Sequence, residues 1–193
     1  MKVLIIASDK GELKGLSDEY IKVVSGVGPV MAAVAASREI ERVKPDCVIS
    51  LGSAGAISRH LKAGEAYSFA KVVCPDQNLT TMHLPLGVTI DKKRSTVGEL
   101  ETADRASRLI LSTSGAFSSE ITDAHKTLYA DASDMEAYGV ALAAKESGIP
   151  FFAIKLITDY VGDKSTIGDI SFNLREGRAK LSSLLEEVLS CLQ

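Results

Sequence analysis

The sequence predicts a three-layer α/β fold, in which a central mixed β-sheet is flanked by helices on both sides. Short apolar runs bounded by Gly, Pro, Asp or Ser alternate with segments of helical character. Several of these runs are almost continuous, which is typical of strands buried on both faces, and such a sheet must be covered by helices on both sides. With 193 residues and 46% hydrophobic side chains, the chain is expected to bury this core as a single domain over residues 1–193.

The elements follow in order from the amino terminus. Val3–Ser8 and Tyr20–Val27 are short apolar runs that predict strands. Pro29 through Val43 predicts a helix, because Pro stands in the first turn and an Ala-rich run follows. The later predicted strands are Asp46–Leu51, Glu65–Val73, Leu86–Ile90, Arg108–Ser112 and Pro150–Thr158. The later predicted helices are Met135–Ser147, which Gly148 closes, and Leu174–Leu192.

Charge and hydropathy argue against two classes of partner. The formal net charge is −3 and no run is rich in Lys or Arg, so we expect no nucleic-acid partner. Charged residues interrupt every hydrophobic stretch before it reaches the roughly 20 residues of a membrane helix. The first apolar run lacks the pattern of a signal peptide. We therefore expect a protein that does not associate with membranes.

Cysteine and histidine usage narrows the compartment and the chemistry. The three cysteines are odd in number and widely spaced, which suits reduced thiols and a cytoplasmic location (Cys47, Cys74 and Cys191). The three histidines are far apart, with no second ligand at metal-binding spacing (His60, His83 and His125). We expect neither a metal nor an organic cofactor.

Polar residues stand at four places where predicted strands or helices meet loops. These places are Ser8–Glu12, Gly52–Gly55, Asp134–Glu136 and Asp159. Ligands of open α/β sheets bind beyond the carboxyl ends of the strands, so we expect these four places to converge on one cleft. Taken singly, each has an ordinary structural explanation, and we interpret Asp134 as a helix N-cap.

Two glycine-rich motifs do not match known functional patterns. The run SGVGP at 25–29 lacks the third glycine of a dinucleotide loop, because Met31 stands in its place. The run GSAG at 52–55 is not the elbow of a serine hydrolase, because Ser53 follows Gly52 directly and no His is available as a base. The first run is interpreted as a tight turn, and the second as either a turn or a loop of small residues.

Four motifs together resemble the nucleoside phosphorylase/hydrolase superfamily, and most of all its methylthioadenosine/S-adenosylhomocysteine nucleosidase branch. They are MKVLII leading to Glu12, SGVGPVMAA (25–33), PDCVISLGSAGAI (45–57) and ASDMEAYGVALAAKESGIPFFAIKLITD (132–159). They occur in the order of the family and cover most of the chain. The resemblance implies the same fold and a purine nucleoside as substrate.

The resemblance also implies roles for individual residues. Glu12 would activate water, Asp159 would protonate the purine, and Glu136 would hold the ribose hydroxyls. Further contacts to sugar, base and 5′ substituent would come from Val27, Ser53, Gly55, Phe117, Ser118, Met135 and Phe172. This chemistry is physically reasonable, because adenine leaves poorly as an anion and needs an acid, while water needs an ionised carboxylate on the other side of the sugar.

Several alternatives stay open. Hydrolysis is favoured over phosphorolysis, because phosphate needs fixed cationic groups and only Lys10 and Lys14 stand near the matching segment. The substrate could instead be futalosine or 5′-deoxyadenosine, and a nucleoside-binding module without turnover is a further alternative. The segments 16–20 and 76–108 are shorter than in relatives, where they help to build the 5′ pocket and the dimer contact. The resemblance implies a homodimer.

Overall fold

The computed structural model describes residues 1–165 and 167–191 and confirms the three-layer α/β fold. The strands are β1 (Val3–Ala7), β2 (Ile21–Val24), β3 (Cys47–Ala56), β4 (Ala66–Phe69), β5 (Lys71–Val73), β6 (Thr89–Ile90), β7 (Thr96–Val97), β8 (Leu100–Glu101), β9 (Ile110–Thr113), β10 (Ala132–Asp134) and β11 (Phe151–Tyr160). The helices are α1 (Pro29–Val43), α2 (Asp123–Thr127), α3 (Ala137–Glu146) and α4 (Ile167–Ser190), and a 3-10 helix spans Thr80–Met82. None of the helices in the described ranges is long and apolar enough to cross a membrane.

Nine strands form one mixed sheet. Its main path runs β2-β1-β3-β10-β9-β5-β8, and β11 joins it by pairing with β3 and β4. The central pairs β1–β3, β3–β11, β9–β10 and β5–β9 are parallel, whereas β3–β10, β4–β11 and β5–β8 are antiparallel. The carboxyl ends of β1, β3 and β11 therefore meet at one edge of the sheet, and β10 runs antiparallel beside the last residues of β3, with Ser133 opposite Gly55.

Alternate residues of β1 show how the sheet separates two cores. Leu4 and Ile6 pack with α1 and α3 on one face, while Val3 and Ile5 pack under α4 on the other. Helix α3 lies so close to α1 that a side chain at Gly139 would meet the carbonyl of Pro29. This close approach fixes the start of α3, which the candidate acid Glu136 directly precedes.

The two strands that carry candidate site residues are longer than predicted. The prediction ended one strand at Leu51, but β3 continues to Ala56, so the run at 52–55 is a strand and not a turn. The prediction ended another at Thr158, but β11 continues to Tyr160. The two strands pair along almost their whole length, which keeps these glycine-rich and polar segments extended.

Other boundaries also differ from the prediction. The strand predicted over 65–73 is split at Ala70, because β4 pairs with β11 whereas β5 turns to pair with β9. The last helix begins at Ile167, seven residues before the predicted start, and Leu192 lies outside the described residues. The predicted strand over 86–90 is reduced to two residues in a hairpin with β7. Strands β7, β8 and β10 and helix α2 were missed, because each is too short to show a periodic pattern.

Candidate active site

The four polar segments converge on one pocket at the carboxyl ends of β1, β3 and β11. The pocket has a volume of about 200 Å³. Its walls come from the ends of β1, β3, β10 and β11, from the loops before α1 and after β9, and from one residue of α4. The lining residues are Ser8, Val27, Ser53, Ala54, Phe117, Ser118, Ser133, Asp134, Met135, Glu136, Thr158, Asp159, Val161 and Ile170.

Glu12 is a buried carboxylate surrounded by hydrogen-bond donors. Its Oε2 accepts bonds from Ser8 N (2.9 Å), Ser8 Oγ (2.8 Å) and Asp9 N (3.3 Å). Its Oε1 accepts bonds from Ser53 N (2.8 Å) and Ser53 Oγ (3.0 Å). Every one of these groups donates, so the arrangement suits an anionic carboxylate with two accepting oxygens. Ser8 and Ser53 both line the pocket, which places Glu12 directly behind its wall.

Gly52 allows Glu12 to occupy this position. A Cβ atom on Gly52 would lie 2.5 Å from Oε1 and 2.8 Å from Cδ of Glu12. Only glycine leaves room for the carboxylate against the backbone of β3. The close contact between the backbone at Gly52 and the carboxylate of Glu12 therefore explains why this position of the LGSAG run is a glycine.

Asp159 has mainly apolar surroundings, in contrast to the donor-rich surroundings of Glu12. Within the part of the chain that the structure describes, its Oδ1 accepts one hydrogen bond, from Thr158 Oγ1 (2.8 Å), and the apolar side chains of Val161 and Ile170 line the same pocket. Burial raises the pKa of Asp159, the hydrogen bond from Thr158 lowers it, and the negative charge of Asp163 raises it again, with a net upward shift. The environment therefore favours the protonated form of Asp159 more than water does.

A β-bulge determines where the carboxyl group of Asp159 lies. The register between β11 and β3 shifts between Ile157 and Asp159, so that Thr158 is the extra residue. Asp159 is thereby paired with Gly55, and a Cβ on Gly55 would lie 3.4 Å from Asp159 Oδ2. Bulges re-aim side chains in this way at many functional sites.

Glu136 lines the pocket immediately before helix α3. Its Oε1 accepts a hydrogen bond from Gly28 N (2.9 Å), in the loop that precedes α1. Burial raises the pKa of Glu136, the charge of Lys155 lowers it, and Asp134 raises it, so that the net shift is upward. Glu136 thus links the β2–α1 loop to the start of α3.

Lys155 is a cation in the middle of this acidic site. Its side chain is 2% exposed and its Nζ lies 2.8 Å from Asp134 Oδ2, whose own side chain is fully buried. Nζ also donates to Ser50 Oγ (3.1 Å). Burial alone would lower the pKa of Lys155, but the nearby carboxylates of Asp134 and Glu136 outweigh burial and raise it. The site therefore contains a permanent positive charge that offsets its carboxylates.

The structure brings most of the predicted site residues together. Among the predicted contacts, the pocket is lined by Val27, Ser53, Phe117, Ser118, Met135, Glu136 and Asp159. Glu12 lies behind Ser53, and Gly55 lies behind Asp159. Phe172 is 54% exposed and outside the lining, and the residue of α4 that lines the pocket is Ile170.

From the sequence, Lys155 was not identified as a residue of the site, and Asp134 was assigned only a capping role. Lys155 was not singled out, although a lysine inside the apolar run FFAIKLIT is itself a signal of a buried ion pair. Asp134 was interpreted as an N-cap, and its Oδ2 does accept the N–H of Ala137 (2.9 Å). The same oxygen also pairs with Lys155, so the capping interpretation was incomplete.

Fold and site together define the class of this protein: a three-layer α/β protein with a small-molecule pocket built from carboxylates at the edge of its sheet. The sequence model of the Phosphorylase superfamily matches residues 10–82 and 99–190. The chain belongs to this superfamily, as the sequence motifs had indicated.

Similar proteins carry related names. The chain is 29% identical over 176 residues to the 5′-methylthioadenosine/S-adenosylhomocysteine nucleosidase of Bacillus thuringiensis, covering 82% of this chain and 74% of the relative. The nucleosidase of Neisseria meningitidis, solved in complex with methylthio-immucillin-A, superposes with a TM-score of 0.83 at 18% identity, covering 97% and 98% of the two chains. The futalosine hydrolase of Helicobacter pylori superposes with a TM-score of 0.84 at 17% identity, covering 98% of this chain and 97% of the hydrolase. At this level of sequence identity, the two superpositions show that this chain shares its fold with these proteins.

Proposed function

We propose that the chain is a nucleosidase that hydrolyses the N-glycosidic bond of a 5′-substituted purine nucleoside of the methylthioadenosine/S-adenosylhomocysteine type and releases adenine. The observation that carries this proposal is the contrast between two buried carboxyl groups beside one pocket. Among the described residues, Glu12 accepts five hydrogen bonds, whereas Asp159 accepts one and has a raised pKa. Two carboxyl groups in opposite environments are the requirement for paired acid and base catalysis.

The acid in this proposal is Asp159. Protonated Asp159 donates its proton to a ring nitrogen of the purine, so that adenine leaves as a neutral molecule. The electrons of the glycosidic bond go to the base, and the sugar becomes oxocarbenium-like. Burial of Asp159 and the charge of Asp163 both favour the proton that this step consumes.

The base in this proposal is Glu12. It accepts a proton from water as the water oxygen attacks the anomeric carbon from the side opposite to the leaving base. Ser53 donates to the same carboxylate and lines the pocket, which places the base next to the space that the attacking water requires. Each turnover moves one proton to Glu12 and one from Asp159, and exchange with solvent restores both.

Glu136 and its neighbours hold the sugar and base. Glu136 accepts hydrogen bonds from the ribose hydroxyls, and its charge favours the positive charge that develops on the ring. Phe117 and Ser118 contact the purine. The remaining predicted contacts keep the roles implied by the resemblance, towards the sugar and the 5′ substituent (Val27, Ser53, Gly55, Met135 and Phe172).

Water rather than phosphate is the proposed nucleophile. The nearest lysines in sequence are directed elsewhere, since Lys10 is exposed and Lys14 lies with Arg178 in a separate surface groove. The buried cation of the site, Lys155, is held by Asp134 and Ser50. A carboxylate at the position of Glu12 would also repel a phosphate anion.

A homodimer in the cytoplasm is part of the proposal. Val30, Met31 and Val34 are 55–73% exposed on the outer side of α1, and Val27 at its start lines the pocket. A second copy that covers this apolar surface would also close the side of the pocket next to Val27. Light scattering coupled to size-exclusion chromatography tests the dimer.

The cytoplasmic location is supported by the free buried thiols at Cys47 and Cys74, which suit a reducing compartment. Cleavage of methylthioadenosine there would serve methionine salvage.

The proposal is tested by chromatography of the free base released from methylthioadenosine, S-adenosylhomocysteine, inosine and futalosine, with and without phosphate. We expect phosphate-independent release of adenine that Asp159→Asn and Glu12→Gln each abolish. Glu39→Gln is the matched control, because Glu39 is also a buried glutamate but pairs with Arg42 on α1. Release from futalosine alone would change the substrate, and dependence on phosphate would identify a phosphorylase. Nucleoside binding without any release would overturn the enzyme proposal.

A further inference from the structure

The wall of the pocket that faces the proposed purine is an irregular segment. Residues 114–122 connect β9 to α2 without helix or strand, and they carry Phe117 and Ser118. Phe117 is 61% exposed, so packing against the core does not fix its position. Something other than secondary structure must therefore hold this wall in place.

The space behind the wall is also open. A second cavity of about 300 Å³ lies on the other side of Phe117 and Ser118, which line both spaces. A wall with open space on both sides can move in either direction unless hydrogen bonds restrain it. The position of the wall is therefore set by its polar contacts.

Asp76 makes the main contact at the first end of this segment. Its Oδ2 accepts the backbone N–H of Gly115 (2.6 Å), and its Oδ1 accepts the hydroxyl of Ser114 (2.9 Å). At the other end, Ser118 Oγ and Ser133 Oγ share a hydrogen bond of 2.7 Å. The carboxylate at Asp76 thus restrains the segment two residues before Phe117.

The sheet topology explains why an acid from a distant part of the sequence reaches this loop. Strands β5 and β9 are parallel neighbours, with Val73 opposite Ser112. Asp76 follows the carboxyl end of β5, and Ser114 follows the carboxyl end of β9, so the two lie at the same edge of the sheet. Ser114 N also donates to the carbonyl of Asp134 (3.1 Å), which joins this contact to the buried ion pair.

We infer that Asp76 is a positioning residue for recognition of the purine base, which it controls by holding the Ser114–Ser118 segment at the distance from Asp159 that the base requires. The inference rests on the proposed function, because it assigns the base to this side of the pocket. Asp76 does not line the pocket, and it acts through Phe117 and Ser118. Loss of Asp76 should therefore weaken binding of substrate and of free adenine while the carboxylates that perform the reaction stay in place.

The test compares Asp76→Ala with Asp91→Ala. Asp91 is a matched control, because its carboxylate also accepts backbone N–H groups, from Lys93 and Ser95 (2.8 Å each), in a hairpin outside the pocket. We expect Asp76→Ala to raise KM and the Kd for adenine by the same factor of about ten, the worth of one hydrogen bond to a charged group. The kcat should change much less, and Asp91→Ala should leave KM, kcat and Kd unchanged.

Two milder variants keep the inference testable if Asp76→Ala folds poorly. Ser114→Ala removes one of the two contacts and should raise KM by a smaller factor. Asp76→Asn keeps an oxygen that can accept the N–H of Gly115 and should be intermediate. An unchanged KM and Kd in active variants, or a loss confined to kcat, would overturn the inference and leave the proposed function standing. Wild-type protein that neither releases a base nor binds adenine would overturn both.

Discussion

Gly52→Ala tests whether the position of Glu12 matters, because it displaces the carboxylate without removing it. The added Cβ would lie 2.5 Å from Glu12 Oε1, about 0.9 Å short of an ordinary contact at 3.4 Å. The backbone of β3 cannot yield easily at this point, because Gly52 pairs with Lys155 of β11 and Ser50, two residues earlier, pairs with Ile6 of β1. The side chain of Glu12 must therefore move by about 1 Å.

The size of the effect follows from what that movement breaks. Oε1 is held by the N–H and the hydroxyl of Ser53, at 2.8 and 3.0 Å, and both bonds lie on the side of the added methyl group. Loss of one hydrogen bond to a charged group costs about 1.5–3 kcal/mol of folding stability. A catalytic group misplaced by about 1 Å costs on the order of 100-fold in rate. We expect kcat to fall by about that factor, with KM nearly unchanged because Glu12 does not hold the nucleoside.

The assay is steady-state base release, with chemical denaturation to confirm the fold. Glu12→Gln shows the effect of losing the general base altogether. The kcat of Gly52→Ala should lie between the kcat of that variant and the kcat of wild type. Gly148→Ala is the control, since Gly148 has a positive φ of 68° but nothing within 4 Å of an added Cβ. It should lose stability without losing kcat. A folded Gly52→Ala protein with the kcat of wild type would refute the reasoning that the placement of Glu12 limits the reaction.

Two further predictions concern charge in the site. Lys155→Met should lower the free energy of unfolding by about 3–5 kcal/mol, because it leaves Asp134 buried without its cation. Chemical denaturation measures this loss, and Lys145→Met, which changes an exposed lysine on α3, is the control. A loss no larger than that of the control would show that water replaces the ion pair. The second prediction concerns pH: since the folded pKa of Asp159 is raised, its contribution to stability is present below the unfolded pKa and is lost as pH rises through the folded pKa. Asp159→Asn cannot ionise, so its melting temperature should rise relative to wild type with increasing pH, and a constant difference across the range would contradict the raised pKa.

The three carboxylates could be found from the sequence, but their exact setting could not. The sequence pattern put Glu12 and Asp159 after apolar strands and Glu136 at a helix start, the family resemblance singled out these three acids, and the structure brings them to one pocket. The strand ends themselves were placed too early, because glycine and polar residues usually mark turns. In β3 and β11 they are instead held extended by mutual pairing, and the bulge at Thr158 is a property of that pairing and not of either segment alone.

Contacts between distant segments were beyond the sequence for a related reason. Asp134 and Lys155 lie on β10 and β11, which both pair with β3, and Asp76 contacts Ser114 and Gly115, 38 and 39 residues away, because β5 and β9 are neighbours in the sheet. Strand order is not visible in local periodicity. A lysine in an apolar strand signals that a buried partner exists, but only the fold identifies Asp134 as that partner.

The two proposed catalytic carboxyl groups differ in role because their neighbouring residues differ, and not because of the groups themselves. Glu12 and Asp159 are both buried, with 4% and 9% of each residue exposed, so burial alone does not distinguish them. Among the described residues, five donors hold the carboxylate of Glu12, and Gly52 makes their geometry possible by leaving room for it. Asp159 has one described donor and apolar neighbours in the pocket, and its burial raises its pKa. Removing donors from Glu12, for example Ser8 Oγ and Ser53 Oγ, should therefore loosen its carboxylate and lower kcat in the base-release assay, while the contacts of Asp159 stay unchanged.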